Sequence, residues 1–399
     1  MKRVIMLADA NSFFASCHIA AQPELENKEV IVAGDPKRRT GIVLAASYPA
    51  KAKGVRTGIA RWEAQKICPD AFFFTPDYAL YIEYSTKILK IMRDFTDLVE
   101  SFSIDEAFLD CTGVLKLFNK TPLQLAQYLM ERIKRDAGLP CSIGVGPNKL
   151  IAKMAAELKK PNGISVVEDV EQFKSIFWAK PVRDLFGVGR RYERHFRYLN
   201  IHTIGDLAKY PLEVLKKRWG KNGELLWYCA NGIDNSPVVP GSLDTCKNVG
   251  NQRTLPHDIK GFSNIKVIIY ELSELITSRA RRSGYVGRTV FLTLRDTQLN
   301  FLSRSVNMPS YSDLPEDIYE TACKLLQLHW DDSWPVRLVG LALSNLIKPT
   351  SMQLDLFGRK EKQLQIAKTC DSIRDRFGYN AIFRGISLTE GSLHGLNQR

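Results

Sequence analysis

The 399-residue chain contains no run of roughly 18 to 20 consecutive apolar residues, the length a membrane span requires. Its opening, MKRVIMLADANSFF, meets an Asp too early for the apolar core of a secretory leader, so a cytoplasmic protein is expected. Histidine is scarce: six residues, scattered, with no HExxH. The eight cysteines, at 17, 68, 111, 141, 229, 246, 323 and 370, include no CxxC and no Cys-His ligand spacing, which argues against a zinc site and for reduced thiols in cores. Any metal must then be held by carboxylates, and Mg²⁺ or Mn²⁺ is expected. Acidic residues are also in deficit. With 43 Asp and Glu against 56 Lys and Arg the net charge is +13, which favours a polyanionic partner, either nucleic acid or an acidic membrane surface. The 45% hydrophobic and 25% charged content excludes wholesale disorder, and the length allows roughly two to four domains.

Val4 to Leu7 is a short apolar run closed by Asp9, the pattern of a buried strand with a carboxylate at its end; a helix from about Asn11 to Ala21 should follow. Strands are expected at Val30 to Ala33 and Ile42 to Ala46, in a stretch punctuated by Pro36, Gly41, Pro49, Gly54 and Gly58. Helical spacing runs from Asp77 to Val99, and VESFSIDEAFLD then alternates as two strands meeting near Ile104 to Glu106. A helix Pro122 to Ala137, a strand Cys141 to Val145 and a helix Asn148 to Lys159 complete a βαβ-like unit. From about Val167 to Ile233 the composition turns basic and helical, and NGIDNSPVVPGS reads as a linker. Beyond it, one helix (KVIIYELSELITSRARRSG) and three strands (RTVFLTLRD, FLSRSVNM, VRLVGLALSNL) predict a second αβ unit. A tail with QLDLF and a basic helix from about Lys360 to Arg376 ends the chain.

Asp9 and the adjacent Asp105 and Glu106 are the strongest chemical feature. Three carboxylates without histidine suit hard cations. Phosphoryl transfer uses such a set, because two divalent ions activate the attacking hydroxyl, neutralise a triphosphate and stabilise the leaving oxygen. Neighbours on a flat strand point to opposite faces, so Asp105 and Glu106 act together only where the backbone turns. Turn acids flanking an edge hairpin would look the same in sequence.

Taken together and in order, LADANSFFASC, GIVLAASYPAKAKGVRTG, VESFSIDEAFLD, SIGVGPNKLIAKMAAELKKPNG and DLFGVG resemble the Y-family translesion DNA polymerases, from about residue 4 to 350. Within that family the chain is similar to the bacterial DNA polymerase IV and UmuC branches. The resemblance implies an α+β multidomain right hand with a ferredoxin-like palm at 1–12 and 78–167 and small fingers at 13–77. A helical helix-hairpin-helix thumb at 168–232, a linker at 233–246, an αβ little finger at 247–349 and a clamp-binding peptide with its tail at 350–399 would follow. It also implies template-directed, low-fidelity synthesis past damaged bases. The implied partners are primer-template DNA, dNTPs and the bacterial sliding clamp, and the implied state is a monomer without membrane attachment.

By the same resemblance Asp9, Asp105 and Glu106 are the catalytic ligands of two Mg²⁺ ions, or of Mn²⁺, with the Ala10 carbonyl as a further contact. Phe14, five residues after Asp9, stands at the steric gate, where a ring excludes a ribose 2′-hydroxyl; an amphipathic helix would also place a core Phe there. Tyr48, Lys51 and Lys160 fall where the triphosphate binds, a hydroxyl and two cations able to follow developing charge. Many polymerase IV members carry Arg at the position of Lys51, and Lys offers a point charge without the bidentate fork. Ile42, Leu44 and Gly58 fall at the roof over the nascent base pair, where bulk would narrow lesion tolerance, although strand packing accounts for Ile42 and Leu44 as well.

PVRDLFGVGRRYERHFRYLNIHTIGDL resembles a helix-hairpin-helix, with Gly187 and Gly189 in its turn and Arg190 and Arg191 after it, bringing backbone N–H groups to a DNA phosphate. Six arginines between 279 and 304, among them Arg281, Arg282, Arg288 and Arg304, meet a single acid, Asp296, and are expected to line a phosphate-tracking surface. Gln353, Leu354, Asp355, Leu356 and Phe357 spell QLDLF, which resembles the family's peptide for the sliding clamp. Leu356 and Phe357 would fill an apolar pocket, and Gln353 would supply amide hydrogen bonds. The later RDRFGYNAIFRG carries no role legible in sequence.

Two other functions compete. A non-catalytic, clamp-tethering DNA-binding protein derived from such a polymerase would have no need of the acids, yet all three are present. A nuclease or nucleotide cyclase would keep them, but would explain neither the gate Phe, nor the triphosphate cations, nor the hairpin.

Overall fold

A strand buried on both faces belongs at the centre of a sheet. Ile5–Ala10 (β1) is one, and in the computed structural model it pairs antiparallel with Glu106–Asp110 on one side and Cys141–Gly146 on the other. The structure describes residues 3–36, 41–241, 246–349, 358–389 and 392. One unit comprises Met1–Pro36 and Gly41–Asp244, the other mainly Thr245–Arg399.

In the first unit β1 leads to α1 (Phe13–Ala21), β2 (Val30–Ala33), β3 (Val43–Ala46), α2 (Tyr48–Ala52), α3 (Arg61–Ile67) and β4 (Phe72–Phe74). Then come α4 (Tyr78–Arg93), β5 (Val99–Ser101), β6 (Glu106–Asp110), α5 (Leu115–Phe118), α6 (Pro122–Ala137), β7 (Cys141–Gly146), α7 (Lys149–Ala156) and β8 (Ile164–Val166). Helices α8 (Val170–Phe177), α9 (Arg190–Arg197), α10 (Ile204–Lys209), α11 (Leu212–Trp219) and α12 (Lys221–Ala230) close it around Phe173, Phe196, Ile204 and Leu215. The main sheet is ordered β5-β6-β1-β7-β8, and a smaller one β3-β2-β4.

Alternation along β1 divides its side chains between two cores. Met6, Ala8 and Ala10 join Ile88 and Met92 of α4 and Leu125, Leu129 and Ile133 of α6, whereas Ile5 and Leu7 meet Ala152 and Ala156 of α7. Helix α6 begins at a Thr121–Gln124 capping box and stops at Gly138 in left-handed conformation. Helix α7 lies so close to the sheet that a Cβ on Gly144 would stand 1.9 Å from the Ala152 carbonyl oxygen. That approach sets Lys149 and Lys153 beside the acids at the strand ends.

The stretch read as a linker is partly fastened to the first unit. Val238 is buried with Ile5 and Leu7, the Val239 amide donates to Glu100, and Asp234 accepts from the Leu150 amide. Composition reads as a linker, but side chains far away in sequence capture its polar groups. The unit boundary at Asp244 falls inside it.

The second unit runs β9 (Asn248–Ile259), α13 (Phe262–Arg282), β10 (Val286–Asp296), β11 (Phe301–Ser312), α14 (Pro315–His329), β12 (Val336–Ile347) and α15 (Arg359–Phe377). Its antiparallel sheet is ordered β11-β10-β12-β9, with α13 and α14 packed in its core. Strand β9 escapes a hydrophobic-pattern reading because it is polar and contains Pro256; as an edge strand it tolerates both. The tail helix α15 docks on α13 through Arg374 to Glu274 at 2.9 Å and Arg281 to Asp371 at 2.8 Å, both pairs nearly buried. Among the described residues no helix is long and apolar enough to cross a membrane.

Candidate active site

Strand register sets Asp9 directly opposite Glu106. Asp105 lies in the turn before β6, where the amides of Phe102 and Ser103 both donate to the Glu106 carbonyl, at 3.0 and 3.1 Å. The Ala10 amide donates to the Asp105 carbonyl at 2.9 Å, and the Ser103 hydroxyl donates to the Asp105 carboxylate. The turn thus keeps Asp105 out of the strict strand alternation that would have sent it away from Glu106.

The electrostatics record the crowding. Burial pushes the Asp9 carboxyl above the usual range; Lys160 opposes this and the charge of Asp105 adds to it. Glu106 is likewise raised by burial, opposed by Lys153 and reinforced by Asp9 and Asp105. Two ammonium groups offset the repulsion: Lys160 Nζ is 2.7 Å from Asp9 Oδ2, and Lys153 Nζ is 2.6 Å from Glu106 Oε2. Among the described residues no three acidic, His or Cys side chains enclose an ion as they stand. The donor set nevertheless fits divalent cations in kind, being hard oxygen, half-buried, mutually repelling and already drawing positive charge.

Tyr48 and Lys51 meet at a residue that motif reading passed over, Ser12, while Lys160 bridges Asp9 and Glu157. The Ser12 hydroxyl accepts from Lys51 Nζ at 2.7 Å, and its left-handed backbone (φ 50°) turns the chain from β1 into α1. Lys51 Nζ also lies 4.7 Å from the centre of the Tyr48 ring. Burial, then the charge of Lys160, lowers the Lys51 pKa, while burial raises that of Tyr48 and Lys160 opposes it. Among the described residues Lys51 therefore lacks the carboxylate partners that Lys160 has in Asp9 and Glu157, and keeps a charge available to an anion.

Phe14 is half-buried on α1, its ring stacked on Tyr81 of α4 at 4.3 Å and met edge-on by Tyr78. Its neighbour Phe13 takes the core position, 4% exposed. Tyr81 is fully buried with its hydroxyl 3.0 Å from His18 Nε2, so the ring behind Phe14 is itself fixed. Alternation along β3 buries Val43, while Ile42 just before it is exposed and Leu44 half-buried. Gly58, at φ +92°, donates its amide to the Val43 carbonyl at 2.8 Å; a Cβ there would meet nothing, so backbone conformation rather than space calls for glycine.

In the hairpin Gly187 has φ +93° and Gly189 caps α9, with Arg190 and Arg191 exposed in its first turn. Arg183, Arg194 and Arg197, which motif reading passed over, line one groove with Arg190 around Glu193.

Two of the arginines expected at a DNA surface in the second unit, Arg281 and Arg288, turn to partners within the protein. Arg281, expected at a DNA surface, is buried against Asp371 and donates to the Asp313 carbonyl. Arg288 is half-buried with Nε on the Met308 carbonyl at 3.0 Å, whereas Arg282 pairs with Asp375 and stays exposed. The acids and carbonyls that claim them lie 20 to 93 positions away, out of reach of a local charge count. Arg304 stays exposed on edge strand β11. On the sheet face opposite to buried Val290, Leu292 and Leu294, register instead pairs Thr289 with Asn307, Phe291 with Ser305, Thr293 with Ser303 and Arg295 with Phe301, a mixed polar and aromatic face. Gln353, Leu354, Asp355, Leu356 and Phe357 lie outside the described residues.

Residues 8–157 match the impB/mucB/samB family, residues 247–356 that family's C-terminal domain, and residues 183–234 the thumb domain of DNA polymerase-iota. The chain is 50% identical to DNA polymerase IV of Pelotomaculum thermopropionicum, over 98% of its own length and 96% of the relative's. It is 50% identical to DNA polymerase IV of Moorella thermoacetica over 98% of each, and 42% identical to DNA polymerase IV 2 of Bacillus subtilis over 97% and 95%. A solved Y-family DNA polymerase chimera of Dbh and Dpo4 shares the fold, with TM-score 0.75 at 24% identity over 87% of this chain and 100% of that one.

Proposed function

Since the chain belongs to the impB/mucB/samB family of Y-family DNA polymerases, we propose that Asp9, Asp105 and Glu106 carry its template-directed nucleotidyl transfer from a dNTP to a primer 3′-hydroxyl. The observation that supports this most is the register pairing of Asp9 with Glu106 beside the Asp105 turn. These carboxylates, with the Ala10 carbonyl, would hold two Mg²⁺ ions, or Mn²⁺. When bound, such ions lower the pKa of the attacking hydroxyl and neutralise charge on the triphosphate.

The chain's own groups do the rest. Lys160 and Lys51 bind the triphosphate, and Tyr48 orients it through its hydroxyl. Lys160 exchanges Asp9 for phosphate oxygen as the nucleotide enters. Phe14, backed by Tyr81, closes the space a ribose 2′-hydroxyl would need, and Ile42, Leu44 and Gly58 roof the nascent pair. The palm is assigned to 1–12 and 78–167, the fingers to 13–77, the thumb to 168–232 and the little finger to 247–349. The hairpin with Gly187, Gly189, Arg190 and Arg191 grips backbone phosphates, as do Arg304 and the sheet face around Arg295, where Thr289, Thr293, Ser303, Ser305 and Asn307 surround Phe291 and Phe301. The enzyme works as a cytoplasmic monomer, of low fidelity, at damaged templates.

Extension of a 5′-labelled primer with Mg²⁺ and four dNTPs is expected on both undamaged and abasic templates. Release of mononucleotides without dNTPs, and no extension, would indicate a nuclease instead. For the QLDLF peptide, Gln353→Ala combined with Phe357→Ala is expected to weaken sliding-clamp binding at least about tenfold while sparing extension on a bare primer. Equal clamp affinity in a calorimetric titration would remove the peptide as the tether.

A further inference from the structure

Lys153 has a setting that the proposed chemistry does not use. Its ammonium is 2.6 Å from Glu106 Oε2 and lies over two aromatic faces, 4.9 Å from the centre of Phe102 and 5.4 Å from that of Phe186. The two rings meet edge to face at 6.1 Å, and both are 41% exposed. Phe102 belongs to the acid-bearing turn, its amide bonded to the Glu106 carbonyl. Phe186 immediately precedes Gly187 of the phosphate-binding hairpin, and its amide donates to Met154 Sδ, the residue after Lys153, at 3.3 Å. One ammonium thus touches a catalytic carboxylate, the turn that presents it and the base of the DNA hairpin.

We infer that Lys153 is a positioning residue that holds the Glu106 carboxylate until DNA is engaged, and that Phe186 ties this hold to the hairpin. The inference rests on the reading of Glu106 as a metal ligand. An ammonium at hydrogen-bond distance competes with a divalent cation for the same oxygen and repels it in half-buried surroundings, where the interaction is weakly screened. The aromatic faces give the ammonium a second resting place when it leaves the carboxylate, since cation–π attraction persists as the ion pair loosens. When the hairpin takes up a phosphate, movement of Phe186 changes that resting place. DNA binding and cation binding at Glu106 then support one another, and by linkage each strengthens the other equally.

The test is a Mn²⁺ titration of the full chain followed by electron paramagnetic resonance, without dNTP, with and without primer-template duplex. For the unaltered protein DNA is expected to tighten Mn²⁺ binding by about tenfold. Lys153→Met is expected to bind Mn²⁺ about tenfold tighter in the absence of DNA, and to gain less than about twofold from DNA. Lys153→Arg, which keeps the cation, should restore the original pattern, and Phe186→Leu, which keeps apolar bulk without the aromatic face, should reduce the gain from DNA. If Lys153→Met bound Mn²⁺ no tighter than the unaltered protein, or if Phe186→Leu kept the full gain, the inference would be wrong even though Asp9→Asn still abolished Mn²⁺ binding. Mn²⁺ binding that ignored Asp9→Asn would overturn the metal reading itself.

Discussion

Asp9→Ala and Glu106→Ala should each reduce primer extension by roughly a thousandfold or more, because each would remove a proposed metal ligand from a site whose chemistry depends on concentrated positive charge. Neither change should unfold the protein. Burial raises both carboxyls, so folding disfavours their ionised forms, and a neutral residue removes that cost. Lys160, left behind by Asp9, keeps Glu157 at 2.6 Å. The same shifts predict a metal effect. A carboxyl raised on folding contributes stability that is present below its unfolded pKa and lost as the pH rises through its folded one. At neutral pH Mg²⁺ should therefore raise the melting temperature of the unaltered protein and leave that of Asp9→Ala nearly unmoved. Calorimetric scans with and without Mg²⁺, beside single-turnover extension, separate lost chemistry from lost fold. Extension persisting at its original rate in both variants would defeat the assignment of these acids.

Phe14→Ala should lower discrimination against ribonucleotides by roughly a hundredfold, with a much smaller effect on dNTP incorporation. The size of the effect follows from what lies behind the ring. A side chain free to swing would give way to a 2′-hydroxyl, but Phe14 rests on fully buried Tyr81, whose hydroxyl is held at His18. The clash therefore cannot be relieved cheaply by rotation. The ratio of kcat/KM for dNTP to that for rNTP is the measurement. An unchanged ratio would remove Phe14 as the gate.

Sequence by itself determined whatever depends on neighbours along the chain. Apolar runs and alternation placed β1 with Asp9 at its end and the hairpin with Asp105 and Glu106 at its turn, and helical spacing bounded α6 at Pro122 and Ala137. The ordered set of motifs carried the family and hence the candidate acids, Phe14 and the triphosphate cations. Tertiary structure decided whatever depends on which distant groups meet. It took Arg281 from an expected DNA surface into a buried pair with Asp371, fastened Val238 to the first unit, and made an edge strand of polar β9. It also set Ser12 against Lys51, Tyr81 behind Phe14, and Lys153 between Glu106 and the rings of Phe102 and Phe186. Local pattern reports which face of an element is apolar, whereas ion pairs, ring stacks and register join residues as far as 151 positions apart, and only the folded chain brings those together.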